Sequence, residues 1–309
     1  MHAWIPSPDG PEPVVLADVD RPRPAADEVV IAVEAYSVNR GETFLLESPA
    51  PGWRPGKDVA GTVVRAAADG GPEVGRRVVA HPEQAGWAEQ VAVPVGKVAV
   101  LPDRVPTMAA AALPLAGLTA LRMVRVLGSL AGRRVLLTGA SGGVGHAFTE
   151  LAAGQGALVT AVVATARRGE SLLERGAVAL VDDVEKAEGP FDVVVESVGG
   201  RTFPAAWSRL RPDGLFLWLG QASRTPPTMD FFDWRGGTSA TLRKFLYWES
   251  DIPDGEDLAT LVRLVAGGHL HPEIGRVETW QRTPDVLRAL GAREIRGNAV
   301  LTIEPKELA

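Results

Sequence analysis

The chain has 309 residues, 46% of them hydrophobic, which is enough apolar material for a full core and for more than one domain. Its net charge of -6 and its lack of a basic stripe argue against a nucleic-acid surface. With no cysteine, disulfides, thiolate catalysis and cysteine-ligated zinc are all excluded.

The N-terminus, MHAWIPSPDG, has no charged-then-apolar leader pattern. The longest uncharged apolar run, Met108 to Leu121, is interrupted by Pro114 and Gly117 and falls short of the roughly 18 residues a membrane span needs. The chain therefore reads as a soluble, cytoplasmic protein. Residues 1 to about 107 are rich in valine, proline and glycine. Strand-like runs such as EVVIAVEAYSV (Glu28 to Val38) and RRVVAH (Arg76 to His81) lie between turn signals, the pattern of a barrel-like β unit.

From Thr107 the pattern turns helical, and strands then alternate with helices. RVLLT is a strand, Val144 to Ala153 a helix, ALVTAVVA a strand, and Glu170 to Arg175 a short helix. AVALV, FDVVVES and GLFLWLG are further strands. Each is a near-continuous apolar run, as expected for strands of a parallel sheet covered by helices on both faces. After Ser223 the spacing predicts a helix over Asp257 to Ala266, a strand over Ile274 to Thr279, a helix over Pro284 to Leu290 and a strand over Ala299 to Ile303. There is no internal repeat.

The stretch GASGGVG, Gly139 to Gly145, lies where a strand passes into a helix. Glycine lets the backbone turn sharply and leaves no Cβ between the amides and a bound pyrophosphate, and the helix N-terminus offers that anion its unpaired N–H groups. Ala140 replaces the first fingerprint glycine, so the strict GxGxxG pattern is not met. The strand before, the helix after and the next strand at the right distance make dinucleotide binding the better reading than a bare tight turn. That next strand should end in a carboxylate to bind the ribose hydroxyls of NAD. It ends instead in Ala164-Thr165-Ala166-Arg167-Arg168. Two guanidiniums suit a 2′-phosphate, which favours NADPH, with a solvated basic loop as the plainer alternative.

Seven segments taken together resemble one family: SVNRGE (Ser37 to Glu42), PGWRPGKDVAG (Pro51 to Gly61), AGWAEQVAVP (Ala85 to Pro94), AAALPLAGLTAL (Ala110 to Leu121), GASGGVG, DVVVESVGG (Asp192 to Gly200) and RGNAVLTI (Arg296 to Ile303). The chain resembles the medium-chain dehydrogenase/reductase superfamily, in its zinc-free quinone-oxidoreductase (zeta-crystallin-like) branch. The resemblance implies an α/β protein: a GroES-like β-barrel catalytic domain plus a Rossmann cofactor domain with a doubly wound parallel sheet. The expected boundaries are residues 1–108 for the first part of the catalytic domain, 109–251 for the Rossmann domain and 252–309 for the return to the catalytic domain.

The resemblance also assigns residues. Asn39 matches an active-site asparagine beside the nicotinamide ribose and substrate, whose amide can donate to a carbonyl oxygen as charge develops there. A turn-capping asparagine is the structural alternative. Thr119 matches a threonine near the nicotinamide. Ser141, Gly142, Gly143 and Val144 fall in the pyrophosphate turn. Arg168 matches the 2′-phosphate cation, flanked by Thr165 and Arg167. Ser197 and Val198 would flank the adenosine or ribose, and Leu219 and Gly220 end the next strand on the ligand side. Phe245 and Leu246 match a segment over the nicotinamide, and Arg293 a C-terminal arginine that reaches the cofactor. The zinc-ligand triplet of the alcohol dehydrogenases is here Gly56-Lys57-Asp58, and a protonated lysine does not ligate zinc. His269, His271 and Glu273 are a metal cluster only on paper.

There are departures from the family pattern. A tyrosine found in some members is replaced by Phe44, the usual aspartate by Glu42, and the C-terminal glycine-lysine pair by Gly297-Asn298. The proton donor is left open between water, Lys244, Tyr247 and the substrate's own solvation. Trp53, Trp234 and Trp248 are candidates for an apolar substrate pocket, with core packing as the competing role. The activity implied is NADPH-dependent hydride transfer to a quinone or to the C=C bond of an α,β-unsaturated carbonyl. The alternatives are an enoyl reductase on carrier- or CoA-bound thioesters and a non-catalytic NADPH-binding protein. The partners implied are a small-molecule substrate and a second copy, paired through the strand after Gly236. Neither nucleic acid nor membrane is among them.

Overall fold

The computed structural model describes residues 1–304 apart from 8 and 234. In chain order the elements begin with β1 (His2–Pro6), β2 (Val14–Asp18), β3 (Glu28–Val38), α1 (Arg40–Leu45), β4 (Val59–Arg65), β5 (Arg77–Ala80), β6 (Gln90–Pro94) and β7 (Val98–Val100). Two helices follow, α2 (Thr107–Ala111) and α3 (Pro114–Leu127). An alternating series comes next: β8 (Arg134–Leu137), α4 (Gly143–Ala153), β9 (Leu158–Val162), α5 (Ala166–Glu174), β10 (Ala177–Val181), β11 (Phe191–Glu196), α6 (Thr202–Trp207), β12 (Leu210–Trp218) and β13 (Thr241–Lys244). The last elements are α7 (Asp254–Ala266), β14 (Ile274–Thr279), α8 (Thr283–Gly291) and β15 (Asn298–Thr302). The chain forms two compact units, Met1–Leu118 with Asp251–Ala309, and Thr119–Ser250, the division falling within α3.

The first unit is organised by β3, whose 11 residues are buried along nearly their whole length. One edge of β3 pairs with β4, while β6 and then β15 share the other edge, all antiparallel. The resulting sheet runs β14-β15-β3-β4-β5-β7 with β6 on β3. Valine and isoleucine stiffen this strand and fill the core. The C-terminal segment is thus built into the sheet of the N-terminal segment. Tyr36 of β3 reinforces the join: its hydroxyl donates to Thr283 Oγ1 at 2.6 Å, and Thr283 Oγ1 donates to the Trp280 carbonyl at 2.5 Å. Tyr36 stacks on the buried Trp87, centroid to centroid 5.8 Å.

The second unit is a parallel sheet of six strands in the order β10-β9-β8-β11-β12-β13. Numbered within the unit this is 3-2-1-4-5-6, the order of dinucleotide-binding doubly wound folds. The order reverses between β8 and β11, and the crevice at the C-terminal ends of these two strands is where such sheets bind ligands.

Three local features differ from the sequence reading. The helix placed at Glu170 to Arg175 begins at Ala166, after an extended Thr165 at its N-cap, so Arg167 and Arg168 lie in its first turn and not in a loop. Its opening residues are polar and carry no apolar periodicity, which hid the start. The run after Thr107 is two helices, broken ahead of Pro114, because proline is tolerated only at a helix start. The strand over GLFLWLG starts earlier, at Leu210, and ends at Trp218, so Leu219 and Gly220 lie just beyond it. Among the described residues no helix is long and apolar enough to cross a membrane.

Replacing Tyr36 by Phe removes one buried hydrogen bond and leaves Thr283 its bond to the Trp280 carbonyl. The expected loss of stability is about 1–2 kcal/mol, read as a lower urea midpoint at unchanged slope. An unchanged midpoint would mean that this contact does not hold the C-terminal segment.

Candidate active site

In the second unit the turn after β8 is shaped by two glycines. Gly139 has φ +63°, a left-handed conformation that glycine adopts without strain. A Cβ on Gly145 would lie 2.3 Å from the Ala140 carbonyl oxygen, so only glycine lets α4 start this close to the strand end. Gly142 is the extended N-cap of α4 and no side chain caps that end. The first-turn amides of Gly143 and Val144 are therefore available to an anion, reinforced by the dipole of an 11-residue helix. This uncapped helix end at a glycine turn fits the pyrophosphate of a dinucleotide.

Some of the predicted second-unit residues are tied to the turn. Arg168 Nε donates to Ser141 Oγ at 3.3 Å, which brings the start of α5 to the edge of the turn. No carboxylate lies between the end of β9 and Arg168; Thr165 and Arg167 are exposed and Arg168 is half-buried. Ser197 donates from its hydroxyl to the Thr138 carbonyl at 3.2 Å and from its amide to Thr138 Oγ1 at 3.0 Å, beside Gly139. The amides of Val198 and Gly199 donate to Glu196 Oε1 at 2.7 and 2.9 Å. Glu196, a residue the sequence reading missed, thus staples the turn after β11. Burial raises its pKa against the pull of these bonds, and its Oε2 has no partner among the described residues. Leu219 donates from its amide to the Glu196 carbonyl at 2.9 Å, and Gly220 packs against the Ser197 carbonyl.

Phe245 is buried, its amide donating to the Trp218 carbonyl at 2.8 Å, and Leu246 is half-buried beside it. The segment is held by Arg122, another residue the sequence reading passed over: buried on α3, it donates from its guanidinium to the Tyr247 carbonyl at 2.8 Å. Thr119 is buried three residues earlier on the same helix. Lys244 and Trp248 are exposed and Tyr247 is half-buried; Trp234 lies outside the described residues.

In the first unit Asn39 is the N-cap of α1, and its amide N–H donates to Glu42 Oε2 at 2.9 Å. Its side-chain nitrogen donates to Asp58 Oδ2 at 2.7 Å and points at Glu42 Oε2 at 3.5 Å. The two readings of this asparagine, helix cap and oriented amide, therefore coexist, and one side-chain hydrogen is already committed. Asp58 is the hub. It also accepts from Ser37 Oγ at 2.6 Å and from the Leu115 amide at 2.9 Å, and His81 Nδ1 lies 3.3 Å from its Oδ1. The sheet register explains the cluster. Tyr36 pairs with Val59 and Val59 with Ala80, so Ser37, Asp58 and His81 fall side by side at the same end of three neighbouring strands. Glu42 completes it, accepting the Gly56 amide at 2.8 Å. Burial and the neighbouring Asp58 carboxylate push the Glu42 pKa up to about 7, against the opposing pull of the Asn39 and Gly56 amides.

Other first-unit assignments separate from this cluster. Arg293 is exposed, with a left-handed backbone (φ +61°), and its charge, after burial, lowers the pKa of Arg40. Trp53 packs half-buried against the first unit's core. Phe44, in the last turn of α1, lies under the Arg40 guanidinium. Glu273 is engaged by Arg296 Nε at 2.6 Å and accepts at its carbonyl from Asn298.

Two family models match the chain in order, the alcohol dehydrogenase GroES-like domain over residues 25–103 and the zinc-binding dehydrogenase domain over residues 174–301. The chain belongs to the medium-chain dehydrogenase/reductase superfamily. Within the superfamily it is quinone-oxidoreductase-like. A mycobacterial protein solved in complex with NADPH has a TM-score of 0.87 and 26% identity, with 98% of this chain and 100% of that one covered. A structure described as a mycobacterial quinone oxidoreductase has a TM-score of 0.81 and 26% identity over 98% and 100% of the two chains. A human mitochondrial NAD(P)H oxidoreductase is 29% identical over 80% of this chain and 70% of its own length. The chain also matches polyketide synthases, spanning 4 to 13% of the length of those proteins.

The matched dehydrogenase domain is a zinc-binding one by family, and this chain's donors do not fit that metal. It has no cysteine, Lys57 stands in the triplet where the superfamily's dehydrogenases carry a histidine ligand, and no three candidate ligands converge among the described residues.

Glu42 gives the site a pH signature. An acid whose pKa is raised by folding stabilises the fold fully below its unfolded value, and that contribution is lost as pH rises through the folded value. The protein should therefore lose stability between about pH 4.5 and about pH 7 from this group. The Glu42→Gln protein should lack that part of the decline in urea melts. Parallel stability–pH curves for the two proteins would contradict it.

Proposed function

We propose that the protein is an NADPH-dependent, zinc-independent reductase that delivers hydride to a quinone or to the β-carbon of an α,β-unsaturated carbonyl. The observation that carries the cofactor reading is the Arg168–Ser141 contact at the edge of the glycine turn, with no carboxylate at the end of β9. A guanidinium there pairs with a 2′-phosphate, whereas a carboxylate would have favoured the free hydroxyls of NAD. The NADPH-complexed mycobacterial relative supports the same choice. The acceptor reading rests on the donor set: without a zinc ligand triplet there is no Lewis acid to activate an alcohol, and an already electrophilic conjugated acceptor needs none.

When bound, the reduced nicotinamide supplies the hydride. The chain's own residues do the rest. The amides of Gly143 and Val144 hold the pyrophosphate, and Arg168, with Ser141, Thr165 and Arg167 beside it, reads the 2′-phosphate. Ser197 and Val198, on the turn stapled by Glu196, border the adenosine or ribose, with Leu219 and Gly220 behind them. Phe245 and Leu246, anchored through Arg122, cover the nicotinamide, with Thr119 near it and Arg293 reaching the cofactor from the C-terminal segment. Asn39, its amide fixed by Asp58, orients the ribose and the substrate carbonyl. The orientation is set before substrate arrives, so none of the binding energy is spent on turning the carboxamide.

A second reading, reduction of carrier-bound enoyl thioesters, is favoured by the similarity to polyketide synthases. It shares the cofactor and the hydride step and differs in the acyl carrier. A second copy of the chain would extend the six-stranded sheet through β13, whose four residues are all exposed.

The test is cofactor discrimination. Arg168→Ala combined with Arg167→Ala should weaken NADPH roughly 10- to 100-fold, the scale of losing charge-assisted hydrogen bonds, and NADH by about twofold or less. Equal losses would refute the 2′-phosphate role. In the same assay a simple quinone or enone should oxidise bound NADPH at a rate that a chelator leaves unchanged. Inactivation that added zinc reverses would overturn the metal-free claim.

A further inference from the structure

His146 lies in the first turns of α4, just past the glycine turn, and is almost wholly buried. Its ring makes two hydrogen bonds that point in different directions. Nδ1 is 3.1 Å from the Gly142 carbonyl oxygen, and Nε2 is 3.0 Å from Ser171 Oγ on α5. A carbonyl can only accept, so Nδ1 carries the proton; in the neutral ring Nε2 then accepts from the Ser171 hydroxyl. The imidazole is thus a strut between the N-cap of the pyrophosphate helix and the neighbouring helix.

The residue at the far end of the strut gives it a functional meaning. Ser171 is three residues after Arg168 on α5, so the two share a face of that helix. Arg168 in turn donates to Ser141, the residue before Gly142. The contacts close a ring: Gly142, His146, Ser171, the Arg168 face of α5, Ser141, and back to Gly142. Such a ring fixes how far the arginine stands from the turn. The distance matters because the pyrophosphate and the 2′-phosphate are joined through one ribose and must be met at a set separation.

We propose that His146, through Ser171, is a positioning residue for cofactor specificity: it holds the Arg168 guanidinium at the distance from the glycine turn that a 2′-phosphate requires. The inference rests on the NADPH reading above. It adds that discrimination against NADH depends on a buried imidazole that need not touch the cofactor.

The probe is NADPH and NADH affinity, read by quenching of tryptophan fluorescence. Ser171→Ala is the mild variant, since it leaves His146 bonded to the turn. It should weaken NADPH about fivefold, the scale of one hydrogen bond, and leave NADH within about twofold. In an Arg168→Ala background the same substitution should have no further effect on NADPH, because the group it positions is gone. His146→Gln, whose amide reaches toward Ser171, should keep more of the NADPH preference than His146→Ala. Equal weakening of both cofactors by Ser171→Ala, or an undiminished effect in the Arg168→Ala background, would reduce His146 to a packing role. Failure of the NADPH reading would look different: the unaltered protein would show no preference, or Arg168→Ala would weaken both cofactors alike.

Discussion

The second unit depends on how closely a helix can approach a strand end. At Gly145 the start of α4 comes so near the Ala140 carbonyl that a single Cβ would be only 2.3 Å from it. Because that contact is tolerated, the helix begins immediately beyond β8, its N-terminus faces the crevice at the switch point, and its first-turn amides are left for a ligand. The surrounding groups are fitted to this geometry. Ser197 rests on Thr138 beside Gly139, Glu196 holds the adjoining turn, and Arg168 reaches Ser141 from α5.

The first unit solves a different problem, which is how to hold a carboxamide in one orientation. Asn39 can rotate its amide, but Asp58 accepts only from the nitrogen, so the flipped state would set an oxygen against a carboxylate. Asp58 is itself fixed by the buried Ser37 and His81 and by the amide of the half-buried Leu115. The cost of keeping Glu42 and Asp58 so close in a dry site falls on Glu42, which retains its proton up to about neutral pH.

Much of this was legible in the sequence, for physical reasons. Strands buried on both faces are largely apolar runs, so β3, β8 and β11 fall where the sequence places them to within a residue. The glycine turn has a local signature because its conformational demands are local. The start of α5 was not legible, since Arg167 and Arg168 belong to a polar first turn without periodicity. Asp58 and His81 were missed because what joins them to Asn39 is the register between three strands, a property of pairing that no single stretch of sequence carries. Glu196 and Arg122 were missed for another reason: each bonds to backbone groups of a segment the sequence does single out, and a side chain's bond to a backbone amide or carbonyl leaves no mark in the sequence.

The central claim is that the edge of the glycine turn, at Ser141 and Arg168, receives a 2′-phosphate. The most direct measurement is the ³¹P resonance of the NADPH 2′-phosphate, followed through pH in the presence of excess protein. A free phosphate monoester takes up its second proton near pH 6. The account predicts a displaced resonance whose titration moves well below that value, because the guanidinium favours the dianion. A bound cofactor whose 2′-phosphate titrates as it does in free solution would contradict it.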